Sequence, residues 1–326
     1  MVYWTRRGVA IEKYKPKQKH VSLCDTKTGS AVIDTENTAG FGQNAVIALA
    51  TQMADGIQQQ SLFYATDKDY KFTPILGNPI LPHFNPSLRS DFHYPKTTRD
   101  TTRSRWVMVL AEGSKIGFYT SSILRNWTFV YDYIPTNSGI DLSLLKCPDL
   151  YRRDIDGDSS RHTWLSRRRK RISHSSDNEH SILDGVCLIA ANIQLQWIDD
   201  GPDFYATISG SDPRLSGTAS YVNRQAIGLM NNRDCTSDLP YHENWVGQQS
   251  VVRDIKLEKV GGGVRLVNLP MSAYANVFDT SYAINAKTVT THSATSIPPF
   301  NGRWSNMIAP LCPREPATMA GRFVAR

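Results

Sequence analysis

Trp106-Val107-Met108-Val109-Leu110-Ala111, followed after three residues by Lys115-Ile116-Gly117-Phe118-Tyr119, is the stretch that decides the fold. Each run has the length of a strand and is rich in β-branched and aromatic residues, and turn-forming residues stand between the two. No long segment of the chain carries the apolar period of about 3.6 residues that a helix requires. The sequence therefore predicts an all-β protein. Further runs of this kind lie at 45–49, 186–193 and 263–267.

A weak internal repeat points to the architecture. Phe63-Tyr64-Ala65-Thr66 leads to Phe72-Thr73, and 55 residues further on Phe118-Tyr119-Thr120-Ser121 leads to Trp127-Thr128. Repeats of about 40–50 residues with an aromatic residue in each unit are typical of β-propeller blades. Two unrelated amphipathic hairpins would give the same pattern, so the repeat alone leaves both interpretations open.

The bulk composition narrows the class of protein. The chain has 326 residues, is 40% hydrophobic and carries a formal net charge of +7, which suits a globular protein with a large core. No apolar run reaches about 18 residues and the N-terminus shows no apolar signal segment, so we expect neither a membrane span nor a secretory signal, and the compartment stays open. Five cysteines are scattered without CxxC spacing, so we expect no disulfide framework and no metal site.

Much of the excess positive charge lies in one run, Arg167-Arg168-Arg169-Lys170-Arg171. A phosphate-binding or nuclear-import patch would contain such a run. However, the surrounding segment 154–184 is polar and shows little apolar periodicity, and no aromatic residues alternate with the basic ones. We therefore interpret the run as part of a solvated loop, and we expect no nucleic-acid partner and no membrane partner.

The composition changes near residue 286. From there to Arg326 the chain is rich in Thr, Ser, Pro and Ala and has few apolar runs of strand length. Such a segment buries little apolar surface. We predict a domain over 1–285 and a tail or linker remnant over 286–326.

Several sequence blocks, taken in order, point to one enzyme family. The blocks are Thr28-Gly29-Ser30-Ala31-Val32, Trp106-Val107-Met108-Val109-Leu110, Cys147-Pro148-Asp149-Leu150 and Gly201-Pro202-Asp203-Phe204-Tyr205-Ala206. Each block is weak alone, but the ordered set is specific. Over roughly residues 2–275 the chain resembles glycoside hydrolase family 32, the invertase, inulinase and levanase group of β-fructofuranosidases.

This resemblance implies a fold and a chemistry. The fold is a five-bladed β-propeller, whose first blade is largely missing from the sequence and whose C-terminal β-sandwich is absent. The chemistry is retaining hydrolysis of fructosyl bonds in sucrose, inulin or levan, with no cofactor and no metal. Retention uses two carboxyl groups about 5–5.5 Å apart, one as the nucleophile and the other as the acid/base. A further aspartate stabilises the oxocarbenium-like transition state.

The blocks that should carry these carboxylates depart from the family pattern. The nucleophile belongs to an Asn-Asp-Pro block upstream of Val2, and no such block occurs in the sequence. The stabilising aspartate belongs to an Arg-Asp-Pro block, for which our candidate is Asp91 with Arg89 displaced by one residue; a surface turn is an equally good interpretation of these residues. The acid/base glutamate should stand immediately before Cys147, where this chain has Lys146.

The residues that would contact the sugar are changed as well. Lys27 stands where the family has a phenylalanine, and Leu229 stands where it has a tryptophan, so aromatic faces that stack on sugar rings are lost. We expect the remaining tryptophans, among them Trp106, to be core or blade-edge residues and not sugar platforms. The predicted saccharide contacts are Arg89, Thr28, Ser30, Cys147 and Asp203.

Three interpretations remain open at this point. The resemblance implies a β-fructofuranosidase, and the altered blocks predict that this chain has little or no activity. A non-catalytic propeller that binds carbohydrate or a protein partner is one alternative, and a decayed, truncated product is another. The expected ligand in the first two cases is a fructose-containing oligo- or polysaccharide.

Overall fold

A computed structural model of the chain describes the residues that position the candidate site. The described residues are 5–6, 8–12, 25–54, 56–67, 70–83, 91–134, 145–170, 178–184, 189–190, 196–197, 204–212, 215, 219, 223–230, 248–261, 263–273, 280–283, 287–288, 305–308, 318–319 and 322–325. The chain divides into two compact units, one over residues 5–269 and one that includes residues 270–326.

The larger unit begins with two four-stranded antiparallel sheets, which we call blade A and blade B. A 3-10 turn, Thr101–Arg103, connects the first two strands of blade B. In each blade the strands are hydrogen-bonded in chain order, as in a propeller blade. Blade A consists of β1 (Asp25–Asp34), β2 (Ala45–Ala54), β3 (Ile57–Ala65) and β4 (Thr73–Pro74), and blade B consists of β5 (Phe92–Asp100), β6 (Arg105–Glu112), β7 (Lys115–Ser121) and β8 (Thr128–Tyr133).

The internal repeat occupies matching places in these two blades. Phe63 and Phe118 lie on the third strands, β3 and β7. Thr73 and Thr128 are the first residues of the fourth strands, β4 and β8. The repeat is therefore a structural one, and the alternative of two unrelated hairpins is wrong.

The rest of the larger unit is a ten-stranded sheet that contains two further blade-like modules. The modules meet where β17 runs parallel to β9, through the pairing of Leu257 with Ile155. The first module, blade C, contains β9 (Leu145–Ile155), β10 (Asp158–Lys170), β11 (Asn178–Asp184), β12 (Ile189–Ala190) and β13 (Gln196–Trp197). The second, blade D, contains β14 (Tyr205–Ser211), β15 (Arg224–Met230), β16 (Gln248–Gln249), β17 (Arg253–Val260) and β18 (Gly263–Pro270).

The interpretation of the basic run as a solvated loop is wrong. Residues 167–170 lie on β10, which pairs with β9 on one side and with β11 on the other. Backbone hydrogen bonds on both edges hold a strand in place whatever the polarity of its side chains. The loop interpretation was based on the lack of a regular apolar period. The periodicity of side chains carries no information about the backbone pairing of β10 with β9 and β11.

The largest core cluster lies between blades A and B. Ile47, Leu49 and Leu62 from blade A and Phe92 and Met108 from blade B are at most 1% exposed. Burying each such side chain stabilises the fold by about 1.5–3 kcal/mol. Trp106 is 4% exposed and belongs to the same cluster, so its predicted core role is confirmed.

The smaller unit contains short strands: β19 (Thr280–Ala283), β20 (Lys287–Thr288), β21 (Ser305–Ile308), β22 (Thr318–Met319) and β23 (Arg322–Ala325). Strand β23 pairs with both β19 and β21, and β20 pairs with β22. The two units divide at Leu269/Pro270, whereas the sequence places the boundary at 285/286, so the predicted domain limits stay a prediction. Within the described residues, no helix is long and apolar enough to cross a membrane.

Candidate functional site

Each blade of the larger unit begins with a strand that carries a β-bulge near its start. We call these first strands, β1, β5, β9 and β14, the inner strands. At each bulge an advance of three residues along the inner strand corresponds to an advance of two residues along the partner strand. Two residues of the inner strand therefore lie opposite one residue of the partner. Bulges bend a strand and re-aim its side chains, and they are frequent next to active sites. The bulged pairs are Lys27-Thr28 on β1, Tyr94-Pro95 on β5, Cys147-Pro148 on β9 and Ala206-Thr207 on β14.

Three of the four bulges hold a non-glycine residue in the left-handed region. The φ angles are 61° at Tyr94, 49° at Cys147 and 46° at Ala206. This conformation costs of order 1 kcal/mol for a residue with a Cβ, and such strain concentrates at functional sites. The residues immediately before the bulges, His93 on β5 and Lys146 on β9, therefore occupy equivalent places in blades B and C.

The inner strands β5 and β9 lie side by side and run in the same direction. The charge of Lys146 acts on His93, and three residues further along both strands Lys96 Nζ lies 3.6 Å from Asp149 Oδ1. The starts of the two strands consequently meet at one end of the blades. We call His93, Lys146 and the neighbouring Asp91 the mouth cluster.

His93 is the most constrained side chain of the mouth cluster. It is 6% exposed, and its Nδ1 lies 2.7 Å from Gln58 Oε1. Its Nε2 is buried and has no hydrogen-bond partner. Burial, together with the charge of Lys146, lowers the pKa of His93 from 6.5 to about 4, while the charge of Asp91 opposes the shift. His93 is therefore neutral at neutral pH.

A second polar group lies three residues further along β5 and β9 and includes residues of β14 and β15. We call Lys96, Asp149, Ser209 and Arg224 the Asp149 network. Asp149 is 1% exposed, and it accepts hydrogen bonds from Ser209 N at 3.2 Å, from Ser209 Oγ and from Arg224 Nη2 at 3.4 Å. Arg224 Nε donates to Ser209 Oγ at 2.9 Å, and Lys96 Nζ donates to Ser209 O. The network ties blades B, C and D together with every charge paired.

The structure brings some of the predicted site residues together. Lys146 is half-buried beside His93, and Cys147 is 7% exposed at the bulge of β9. Asp91 has a φ of 65°, is half-buried, and its carbonyl accepts the Gly113 N–H at 2.9 Å. Its charge acts on His93, which places Asp91 in the mouth cluster.

The remaining predicted residues divide into two groups. Ser30 Oγ accepts a hydrogen bond from Thr97 N at 3.1 Å, which joins β1 to β5, and Thr28 Oγ1 is buried without a partner at the bulge of β1. Arg89 and Asp203 lie outside the described residues. Their predicted roles stay predictions.

Sequence reasoning missed His93 and Tyr94. A usable signal was present, because Tyr94-Pro95 precedes Lys96 as Cys147-Pro148 precedes Asp149, and both pairs form the bulge of an inner strand. In the part of the chain that the structure describes, no group of three or more His, Cys, Asp or Glu residues is arranged to hold a metal ion.

The comparison with protein families defines the class. The glycosyl hydrolases family 32 N-terminal domain matches residues 1–270, and the chain belongs to this family.

Two curated relatives make the resemblance more specific. A levanbiose-producing levanase from Geobacillus stearothermophilus is 38% identical over 279 residues, which cover 84% of this chain and 67% of that protein. A levanbiose-producing levanase from Bacillus subtilis is 37% identical over the same share of this chain and 51% of its own length. The chain thus spans about half to two thirds of these relatives.

Solved structures confirm the all-β propeller fold. The exo-inulinase from Aspergillus awamori matches 81% of this chain with a TM-score of 0.68 at 22% identity, over 57% of its own chain. The fructofuranosidase from Schwanniomyces occidentalis, solved in complex with fructose, matches 87% with a TM-score of 0.67 at 19% identity, over 54% of its own chain. At this identity the likeness concerns the fold.

Proposed function

We propose that this chain is a fructoside-binding domain of the family 32 type that recognises fructose-containing oligo- or polysaccharides and hydrolyses them little or not at all. Family membership and the names of the relatives support the ligand class, because the relatives are levanases and inulinases. The altered catalytic positions support the loss of rate. Sucrose, inulin and levan are the ligands to test.

The observation that carries this proposal is Lys146 in the mouth cluster. The family resemblance assigns the acid/base carboxyl to this position, and a retaining mechanism needs that carboxyl to protonate the leaving oxygen and later to activate water. A lysine ammonium instead places positive charge beside a developing oxocarbenium ion. That charge destabilises the transition state.

The bulge of β5 supports the same conclusion. We propose that His93-Tyr94-Pro95 stands where the family has its Arg-Asp-Pro block, because Tyr94 and Pro95 form a bulge equivalent to Cys147 and Pro148 on β9. A tyrosine at the stabilising position has a phenol in place of a carboxyl group and supplies no carboxylate. Asp91, in the same cluster, is the alternative candidate for that role.

The test measures hydrolysis and binding separately. We expect the purified chain to release no more fructose from sucrose, inulin or levan than a buffer blank, while calorimetry with fructose and short levan oligosaccharides shows saturable heat. K146E alone should not restore hydrolysis, because the other altered positions remain. Fructose release by the unmodified chain that is lost in D91A would overturn the proposed loss of activity. Absence of saturable heat with every saccharide would overturn the proposed binding.

A further inference from the structure

The register of β10 gives the first half of its basic run acidic neighbours. Arg167 is paired with Asp149 of β9, and Arg168 is paired with Glu179 of β11. Residues directly opposite each other in an antiparallel pair have Cα atoms about 4.5–5.5 Å apart, and opposite charges at such positions attract. Arg167 and Arg168 therefore each have an acidic residue of an adjacent strand beside them.

The second half of the basic run has no acidic neighbour in this register. Arg169 is paired with Lys146 of β9 and with Asn178 of β11. Lys170 is paired with Leu145. Like charges directly opposite each other repel. We call Lys146, Arg169 and Lys170 the cationic row; because Lys146 lies at the start of β9, the row is at the mouth end of blade C.

The ammonium group of Lys146 has no anionic partner. Lys146 is half-buried, and within the part of the chain that the structure describes it has neither a hydrogen-bond nor an ion-pair partner. Asp149, four residues away on the same backbone turn of charge, is already engaged by two other cations. An ammonium that is partly removed from water without a partner is destabilised. An anionic oxygen bound beside it would remove that cost.

The cationic row selects the charge of the group that binds beside it. A cation would be repelled by Lys146, and a neutral hydroxyl would accept a hydrogen bond but leave the positive charges unbalanced. A carboxylate, sulfate or phosphate accepts charge-assisted hydrogen bonds from an ammonium and can bind a guanidinium through two parallel bonds. The row therefore suits an anion.

We propose that the cationic row binds an anionic substituent of the saccharide, so that the preferred ligand of this domain is an acidic fructoside. This inference rests on the proposed function, since it specifies the ligand class of the same site. Lys146 lies on the inner strand β9 and Arg169 on the next strand outward. The anionic group consequently belongs to a part of the ligand that extends from the mouth cluster over blade C.

The first experiment compares two polysaccharides that share a fructose backbone and differ in charge. Inulin and carboxymethyl inulin are titrated into the unmodified chain by calorimetry at pH 7. We expect Kd for carboxymethyl inulin to be about tenfold lower than Kd for inulin. The difference should shrink as the salt concentration is raised from about 50 mM to about 500 mM, because salt screens charges. Polygalacturonate, an acidic polysaccharide without fructose, is the third probe.

The second experiment locates the anion site with three variants of equal charge change. K146M and R169M each remove one charge from the cationic row, and the ratio of the two Kd values should fall by about threefold in either variant. R168M is the matched control, since it removes a charge from the same strand beside Glu179, and it should leave the ratio unchanged. A general loss of folded protein affects both ligands alike and does not alter the ratio. Should a variant not fold, the salt dependence of the unmodified chain decides.

The outcomes separate this inference from the proposed function. Binding of carboxymethyl inulin no tighter than that of inulin, or an unchanged ratio in folded K146M and R169M, overturns the anion site and leaves the fructoside-binding domain standing. Polygalacturonate binding as tightly as carboxymethyl inulin overturns the fructoside ligand and leaves the anion site standing. No binding of any of the three polysaccharides overturns both.

Discussion

The mouth cluster and the Asp149 network lie a few residues apart on β5 and β9. The buried carboxylate of the Asp149 network has partners, whereas a buried nitrogen of the mouth cluster has none. In the Asp149 network one buried carboxylate meets Lys96, Arg224 and Ser209. In the mouth cluster the buried His93 Nε2 has no partner. Buried polar groups in folded proteins are normally hydrogen-bonded, and His93 Nε2 is one of several buried side-chain atoms among the described residues that are not.

The difference separates a region in which a buried charge is paired from one in which a buried acceptor is not. The Asp149 network joins three blades, and we expect removal of its carboxylate to destabilise the fold because two largely buried cations would lose their partner. The mouth cluster leaves the buried His93 Nε2 without a partner immediately before the strained bulge at Tyr94. Three sets of measurements test whether the two regions differ in this way.

The largest effect is expected from the Asp149 network. D149A leaves Lys96 and Arg224, whose side chains are 17% and 11% exposed, without their carboxylate. We expect the free energy of unfolding to fall by about 3–5 kcal/mol, measured by urea denaturation. The matched control is E36A, which removes an ion pair with Arg99 whose glutamate side chain is 56% exposed; a loss below about 1 kcal/mol is expected there. Equal losses of unfolding free energy in D149A and E36A would show that the Asp149 network stabilises the fold no more than an exposed ion pair does.

We expect the buried His93 of the mouth cluster to make the free energy of unfolding depend on pH. Because the pKa of His93 is about 4 in the folded chain and 6.5 in a free histidine, the unfolded state binds more protons between these values. Stability due to this group is complete above about pH 6.5 and falls as the pH drops toward 4, by on the order of 3 kcal/mol. Unfolding free energies at pH 4.5, 5.5 and 7 measure this slope.

Two substitutions separate the causes of that slope. H93Q removes the titrating ring and should reduce the loss between pH 7 and 4.5. K146M removes the neighbouring charge that lowers the pKa of His93, so the midpoint of the loss should move to higher pH while part of the slope, due to burial, remains. An unchanged profile in H93Q would mean that other groups cause the acid sensitivity.

The smallest effect concerns the strain at the bulges. A206G replaces a residue with a φ of 46° by one that adopts this conformation without penalty, and we expect stability to rise by up to about 1 kcal/mol. The matched control is A226G on β15, where the alanine is 1% exposed and is not among the positive-φ residues; this change should lower stability by about 1 kcal/mol. Thermal melting of both variants gives the sign.

Much of the fold could be predicted from the sequence. The runs at 106–111 and 115–119 became β6 and β7, because both strands are buried along most of their length and a strand buried on both faces consists of a contiguous apolar run. Phe63 and Phe118, the matching residues of the internal repeat, likewise indicated the equivalent third strands β3 and β7. The basic run was misread because pairing with β9 and β11 is a contact between distant segments, and no local pattern records it.

The candidate site could be predicted only in part. Lys146 and Cys147 were located through a short block of neighbouring residues. His93 was missed, because its importance depends on Gln58, which is 35 residues away in the chain. Likewise Asp149 gains its partners from β5, β14 and β15.

By itself the sequence determined the strand segments, the family and the lysine at the acid/base position, since these are properties of contiguous residues. Only the tertiary structure decided which buried polar groups have hydrogen-bond partners and which have none. The reason is that burial, hydrogen-bond partners and pKa depend on side chains brought together from different blades. The fold brings Lys96 and Arg224 to Asp149 in this way, and it brings no hydrogen-bond partner to His93 Nε2.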